Sequence, residues 1–510
     1  MSGTTDQQFD VVVVGGGPGG STTATLIAQA GHRVLLLEKE RFPRYQIGES
    51  LLPSTVHGIG AMLGVTKELE EANFPVKRGG TFRWGTNPEP WTFTFALSRK
   101  LAGPTSTAYQ VDRARFDDIL LNNARRHGVE VREEHEVLAL EEEGGRVCGV
   151  RFRDVEGTEH TVRSSYVVVA AGNTDSLYKT VATRELSDFF QNVALFGYYE
   201  GGKRLPAPNE GNILCAAFSD GWIWYIPLSD TLTSVGVVLS RDRIDVIQKR
   251  GREEAMAQFI ASCPLIADYL SDAHRVTEGM YGKLRVRKDY SYCNTSFWRP
   301  GVALVGDAAC FIDPVFSTGV HLATYSGVLA ARSINTRLKG ELTEEACFTE
   351  FEKRYRREYE LFNQFLQSMY ELNREESSYF WEARKLLGTE QSDAQAFVDL
   401  VAGVSGPDRE LFDSAARRPS NQFRDALKQA SRPEVMDEGD LVFQGSDTRL
   451  LGDVLHEATE LQVRAALADT PELLPEPDPQ FPGGLVPSRD GLHWRSQATA
   501  DSTAESATGR

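Results

Sequence analysis

The chain has 510 residues, enough for about three domain-sized units or for one large α/β core with insertions. Its 55 basic and 72 acidic side chains give a formal charge of -17, which argues against general binding to nucleic acid or anionic membranes and assigns any anionic partner to a local basic patch. There is no apolar run of ~18 residues and no basic segment leading into an apolar stretch at the N-terminus, and the six cysteines form no C-x-x-C pair. The expectation is therefore a cytoplasmic chain with no membrane span, zinc framework, disulfide scaffold or other metal site.

Residues 10–14, DVVVV, form a strand apolar enough to be buried on both faces. Gly15, Gly17 and Gly20 follow with G-x-G-x-x-G spacing around Pro18, then a helix to about Ala30 and a second apolar strand over 33–37 that ends at Glu38. In such a unit the first glycine makes the tight turn, the second lets backbone amides approach a pyrophosphate, and the third permits close helix packing. The helix N-terminus faces the phosphates, and the terminal acid accepts both ribose hydroxyls. A glycine triplet alone is ordinary turn chemistry. With both strands, the helix and the acid in place, the unit points to a dinucleotide with an unphosphorylated adenosine ribose.

Residues 39–53, KERFPRYQIGESLLP, are polar and turn-rich and read as a loop, a candidate functional one. Asp112 suits the N-cap of a helix carrying Phe116, Ile119, Leu120 and Ala124 and ending at Gly128. Strand-like runs at 136–140, 147–152 and 166–170, separated by Gly144-Gly145 and Gly157, predict a small meander returning to a buried strand. Residues 192–239 alternate and are rich in aromatics, as in a second, antiparallel sheet. A buried strand at 302–305 leads into Gly306-Asp307, and a small-residue helix runs from Thr318 to about Leu338. The dinucleotide core is thus expected to be discontinuous, 1–190 and 275–340, with a substrate-side region at 191–274 and a mostly helical region at 341–470. Residues 471–510 lose periodicity and are expected to be a poorly ordered or surface-draped tail.

The set Gly15, Gly17, Gly20, Glu38, Arg113 in YQVDRARFD, Ala171-Gly172 and Gly306-Asp307 resembles, over residues 10–335, the FAD domain of the flavoprotein monooxygenase superfamily. The implied fold is α/β: a Rossmann-like FAD-binding domain, an antiparallel β-sheet substrate domain and a mostly helical C-terminal region. Asp307 is then placed for a ribitol or pyrophosphate, and the helix from Thr318 directs its dipole at the isoalloxazine edge. The resemblance also implies cofactor contacts at Pro18, Lys39, Arg44, Gly48, Glu49, Ser50, Gly319 and Val320. Read singly, each piece is turn chemistry, with Asp307 a helix cap.

Two segments narrow the family. GWIWYIPL carries Trp222, Trp224, Ile226 and Pro227 as W-x-W-x-I-P, and FPVKRGGTFRWG carries Lys77; both resemble flavin-dependent halogenases. Alone, the indoles are same-face residues of a packed strand and Lys77 is a solvated lysine. The resemblance implies FADH2, O2 and chloride, a halide site at Ser317, Thr318 and Gly319, an indole barrier between flavin and substrate, and hypochlorous acid handled by Lys77. No second dinucleotide motif is present, so FADH2 is expected from a separate reductase. Tryptophan halogenases carry a glutamate immediately before Ser-Thr-Gly, where this chain has Phe316. The chain is therefore most similar to the phenol-acting branch, which implies a phenolic natural-product precursor, free or carrier-bound, as in antibiotic biosynthesis. An aromatic hydroxylase, a geranylgeranyl-type flavin reductase and a non-catalytic flavin-binding regulator remain open alternatives.

Overall fold

Five parallel strands bring their carboxyl ends to one edge of the core. Gln8–Val14 lies between Val34–Leu37 and Glu159–Val169, and Val302–Leu304 and Glu130–Arg132 extend the sheet at either side. Val11, Val12, Val13, Leu35, Leu36, Val167 and Val168 are fully buried, as strands covered on both faces require. The computed structural model describes residues 8–84, 89–98, 100–101, 103–173, 175–288, 291–371, 393–404 and 484–496.

Helix α1 (Pro18–Gln29) crosses from the first strand to the second; proline occupies its first turn, where a missing N–H costs nothing. Helix α2 (Arg113–Arg126) starts where the Asp112 carboxylate accepts from Ala114 N at 2.9 Å. Helix α3 (Thr318–Lys339) packs across α1 and is followed by α4 (Glu344–Glu371). Among the described residues no helix is long and apolar enough to cross a membrane.

The third strand of the meander is longer than 166–170. Glu159–Val169 is continuous: residues 159–163 pair antiparallel with Arg146–Arg153, and residues 163–169 run parallel to Gln8–Val14. One strand therefore serves both layers, and its exposed, alternating first half hid it from an apolar-run criterion.

The second sheet has the order His274–Arg275, Asn192–Glu200, Leu232–Ser240, Gly221–Pro227, Ile213–Phe218, Gly79–Arg83, Trp91–Thr94, with Arg285–Lys288 also paired to Asn192–Glu200. Its territory is thus not confined to 191–274. Strands from 79–94 and 285–288 complete it, because Gly79–Arg83 pairs parallel with Ile213–Phe218, a long-range match that local periodicity does not reveal.

The tail also departs from expectation. Leu485–Pro487 and Trp494–Ser496 pair antiparallel, and Trp494 is 0% exposed. Its indole N–H donates to Ser333 Oγ at 2.9 Å, its backbone N–H donates to Thr336 Oγ1 at 2.7 Å, and Arg332 lies over the ring. The hairpin is thereby anchored on α3 by a residue that an irregular sequence context concealed. The rest of 471–510, and of 341–470 apart from residues 341–371 and 393–404, lies outside the described residues. Trp494→Ala is expected to cost ~3–5 kcal/mol, as for other buried aromatic truncations; the check is thermal or urea unfolding, and an unchanged transition would mean the hairpin is not docked.

Candidate active site

The carboxyl ends of the parallel strands open onto a cavity of about 510 Å3, the position at which open α/β sheets receive ligands. Gly15, Gly17 and Pro18 line it after the first strand, Glu38 and Lys39 after the second, Ala171 and Gly172 after Glu159–Val169, and Asp307 after Val302–Leu304. The 39–53 loop contributes Arg44, Gly48, Glu49 and Ser50; α2 contributes Arg113; the start of α3 contributes Ser317, Gly319 and Val320. Trp222, Trp224 and Ile226 approach from the second sheet.

Four predicted residues are not on the wall, Lys77 among them. Gly20 lies beneath it, where a Cβ would stand 1.9 Å from the Gly15 carbonyl oxygen. Thr318 is fully buried behind Ser317 and Gly319, and its Oγ1 has no partner among the described residues. Pro227 has the opposite strand parity to the two indoles and pairs with Thr233.

Glu38 is held by two backbone amides: Oε2 accepts from Gly16 N at 2.6 Å and Oε1 from Glu40 N at 2.8 Å. Each oxygen keeps acceptor capacity for a hydroxyl. Arg113 forks onto Asp117 at 2.8 and 2.9 Å and donates to the Ile47 carbonyl at 2.6 Å, so it ties the 39–53 loop to α2. Arg44 shares the same carboxylate at 2.9 Å. Burial pushes Asp307 up to about 6, with Arg113, Arg287 and Arg184 opposing. Glu49 is buried and pushed up to about 7, and Tyr198 donates to its Oε1 at 2.7 Å; Tyr45 hydroxyl lies 3.0 Å from that of Tyr198. Arg287 and Tyr198 were not singled out from sequence. The alternating basic run Arg285, Arg287 in an acidic chain was the available sign for the first; the second had none.

Lys77 is 2% exposed. Its Nζ donates to the Leu51 carbonyl at 3.0 Å and to Ser317 Oγ at 3.4 Å, and it lies 5.5 Å from the centre of the Phe95 ring. Burial pulls its pKa down to about 7. Ser317 thus stands between the cavity and the amine. The neighbouring Phe316 is buried among Phe82, Phe365 and Phe397, with ring centres at 5.8, 5.2 and 6.1 Å.

Whether a flavin dinucleotide fits can be read from Gly17 and Ser50. At Gly17 (φ -68°) a Cβ would meet only Arg44 Nη2, at 3.4 Å, so packing does not demand glycine and the cradle is left open on the cavity side. Ser50 Oγ is buried on the wall with no partner among the described residues. An open glycine cradle and an unpartnered hydroxyl suit FAD.

A Rossmann-type cradle facing a second, aromatic sheet is the architecture of an FAD-dependent oxidoreductase. A model of the tryptophan halogenase family matches residues 10–103 and 97–417, and the chain belongs to that family of flavin-dependent halogenases. The tryptophan 2-halogenase of Chondromyces crocatus is 36% identical over 408 residues, which are 77% of this chain and 75% of that protein. A flavin-dependent halogenase of Penicillium aethiopicum is 32% identical over 382 residues, 70% of each chain. Among solved structures, the myxobacterial chondrochloren halogenase, an FAD-dependent enzyme, is 53% identical with a TM-score of 0.73, over 96% of this chain and 100% of that one.

The two glycines give opposite expectations. Gly17→Val is expected to leave the unfolding temperature nearly unchanged while the purified protein loses its flavin absorbance; Gly20→Val, clashing with the Gly15 carbonyl, is expected to reduce soluble folded protein itself. Absorbance and circular dichroism on both variants decide, and a fully flavinated Gly17→Val protein would show that the cradle does not hold the cofactor.

Proposed function

We propose that this halogenase installs chlorine on an electron-rich phenolic ring of a natural-product precursor, free or tethered to a carrier protein, using O2, chloride and FADH2 delivered by a separate reductase. When bound, the reduced flavin supplies the two-electron activation of O2. The remaining work falls to the chain's own side chains.

The observation that carries the reading is Lys77: a buried amine with a pKa of about 7, bonded to a residue of the cavity wall. Near neutral pH such an amine exists partly as the free base, able to hold an oxidised halogen and present it away from the cavity. The halide is assigned to the first turn of α3, at Ser317, Thr318 and Gly319, where the amides at a helix start favour an anion. Trp222 and Trp224 keep an organic ring off the flavin, while Glu49, with a pKa of about 7, can hold or release a proton at its oxygens.

The phenol is supported by Phe316. Position 316, immediately before Ser317, carries an aromatic ring and not a carboxylate that could stabilise a cationic ring intermediate, and a phenol delocalises that charge through its own oxygen. A second reading, an indole substrate, is favoured by the name of the Chondromyces relative.

Lys77→Met is expected to lower halogenation at least about 100-fold, the scale of losing a positioned acid-base group, while flavin binding and reoxidation persist. The same variant has a pH signature. The folded amine loses its proton at about 7 and an unfolded lysine near 10.5, so the burial cost is full below pH 7 and fades as pH rises to 10.5. The stability gained by Lys77→Met should therefore be larger at pH 6 than at pH 10. Retained chlorination would remove Lys77 from the mechanism.

Substrate class is tested by supplying free phenols, carrier-bound phenols and tryptophan side by side with one reductase and chloride. Chlorination ortho to a phenolic hydroxyl with little product from tryptophan is expected; efficient tryptophan chlorination would favour the indole reading.

A further inference from the structure

Cys293 and Cys310 face each other across two short antiparallel strands, Tyr292–Asn294 and Cys310–Phe311. Next to them Asn294 N donates to Ala309 O at 3.0 Å. Hydrogen-bonded and non-hydrogen-bonded pairs alternate along an antiparallel ladder, so the two cysteines occupy the non-hydrogen-bonded position, where Cα atoms stand ~4.5 Å apart and side chains approach most closely. A disulfide spans Cα separations of ~4.4–6.8 Å. Both thiols are nonetheless free.

Their surroundings differ. Cys293 is partly exposed, whereas Cys310 is 1% exposed. Arg356 of α4 donates Nη1 to Cys293 Sγ at 3.4 Å and Nη2 to the Asn294 carbonyl at 2.9 Å, and its Nε is shared with Glu352 at 2.7 Å. A hydrogen bond from the Cys310 thiol, followed by the Arg356 charge, holds the Cys293 thiol below its usual range against its own burial and Glu360. Burial keeps Cys310 protonated. The pair also lies directly behind the cavity wall: Cys310 is followed by Phe311, which lines the cavity, and the Tyr292 hydroxyl donates to the Asp307 carbonyl at 2.5 Å.

We propose that Cys293 and Cys310 form an oxidisable dithiol, a modification site for hydrogen peroxide at which Cys293 reacts first and Cys310 resolves the product. The Cys293 thiolate attacks a peroxide oxygen; the S–O bond forms as O–O breaks, and hydroxide leaves and is protonated to water. The Cys310 thiol then attacks the sulfenyl sulfur; S–S forms, S–O breaks, and the sulfenic oxygen departs with the Cys310 proton as water. Two thiols lose two electrons and one peroxide becomes two waters. This order uses the partly exposed, more acidic thiol as nucleophile and the buried one as a guard against over-oxidation.

The test uses the full-length protein with its flavin, treated with equimolar hydrogen peroxide, alkylated without reduction and cleaved before aspartates. That cleavage leaves Cys293 in peptide 289–306 and Cys310 in peptide 307–312. The expected product is one cross-linked species joining these peptides, two hydrogen masses below their sum and abolished by reductant. Both cysteines alkylated, or Cys293 as sulfinic acid beside an alkylated Cys310, overturns the proposal. In Cys310→Ser, Cys293 is expected to accumulate as a dimedone-reactive sulfenic acid and then sulfinic acid. If that variant misfolds, the peptide map of the unmodified sequence still decides.

Discussion

A single backbone reversal at Ser317 determines where the cavity, the buried amine and the aromatic cluster meet. Ser317 adopts φ 62° and ψ 28°, a left-handed conformation that costs a non-glycine residue ~1–2 kcal/mol. The surroundings offset this. Ser317 N donates to the Pro314 carbonyl at 2.9 Å, and the Asp313 carboxylate accepts from Val315 N at 3.2 Å and from Asn192 Nδ2 at 2.9 Å. The Ser317 hydroxyl accepts from Lys77. The turn sends Phe316 into the ring cluster, Ser317 toward the amine and Gly319 onto the cavity. A helical residue at 317 would continue the preceding turn into α3 and separate these three destinations.

The second sheet shows why core packing and a functional wall are not competing readings of the W-x-W-x-I-P strand. Trp222, Trp224 and Ile226 share the cavity side, while Ile223 and Tyr225 face the opposite way and pack with Met256 and Phe259. The indole N–H groups are engaged, Trp222 with the Tyr370 hydroxyl at 2.6 Å and Trp224 with Ser234 Oγ at 3.2 Å. A buried indole whose one donor is satisfied has a fixed orientation. The same contacts that make these rings good core residues make them a rigid wall.

What could be read from the sequence follows the range over which each signal acts. The glycine spacing, Glu38 and the run into Asp307 are local: each is a strand end plus a turn, and parallel strands of one sheet necessarily bring such ends together. Lys77 was legible only through its flanking residues, since nothing in a lone lysine announces burial. The environment of Glu49 was not legible, because the Tyr198 that bonds it comes from the other sheet. The dithiol was hidden for the same reason: Cys293 and Cys310 become neighbours only through strand register. Trp494 is the opposite case. Its surrounding composition looked disordered, and one anchoring side chain with partners on α3 outweighed that local signal.

The electrostatics of the cavity explain how a chain of charge -17 can accept an anionic dinucleotide. Among the described residues lining it, Lys39, Arg44, Arg113 and Arg287 are matched against Glu38, Glu40, Glu49, Glu136, Asp175 and Asp307, so positive charge is not in surplus. Arg44 and Arg113 are moreover spent on Asp117. Burial relieves part of the opposition by raising Glu49 to about 7, which leaves it only partly ionised near neutral pH, whereas Asp307, raised to about 6, stays mostly ionised there. An anion entering here therefore meets oriented backbone amides at the starts of α1 and α3 rather than a strong net field. A site selected by field would take up polyanions in general; one built on aligned amides over an open glycine cradle requires a pyrophosphate of the right shape.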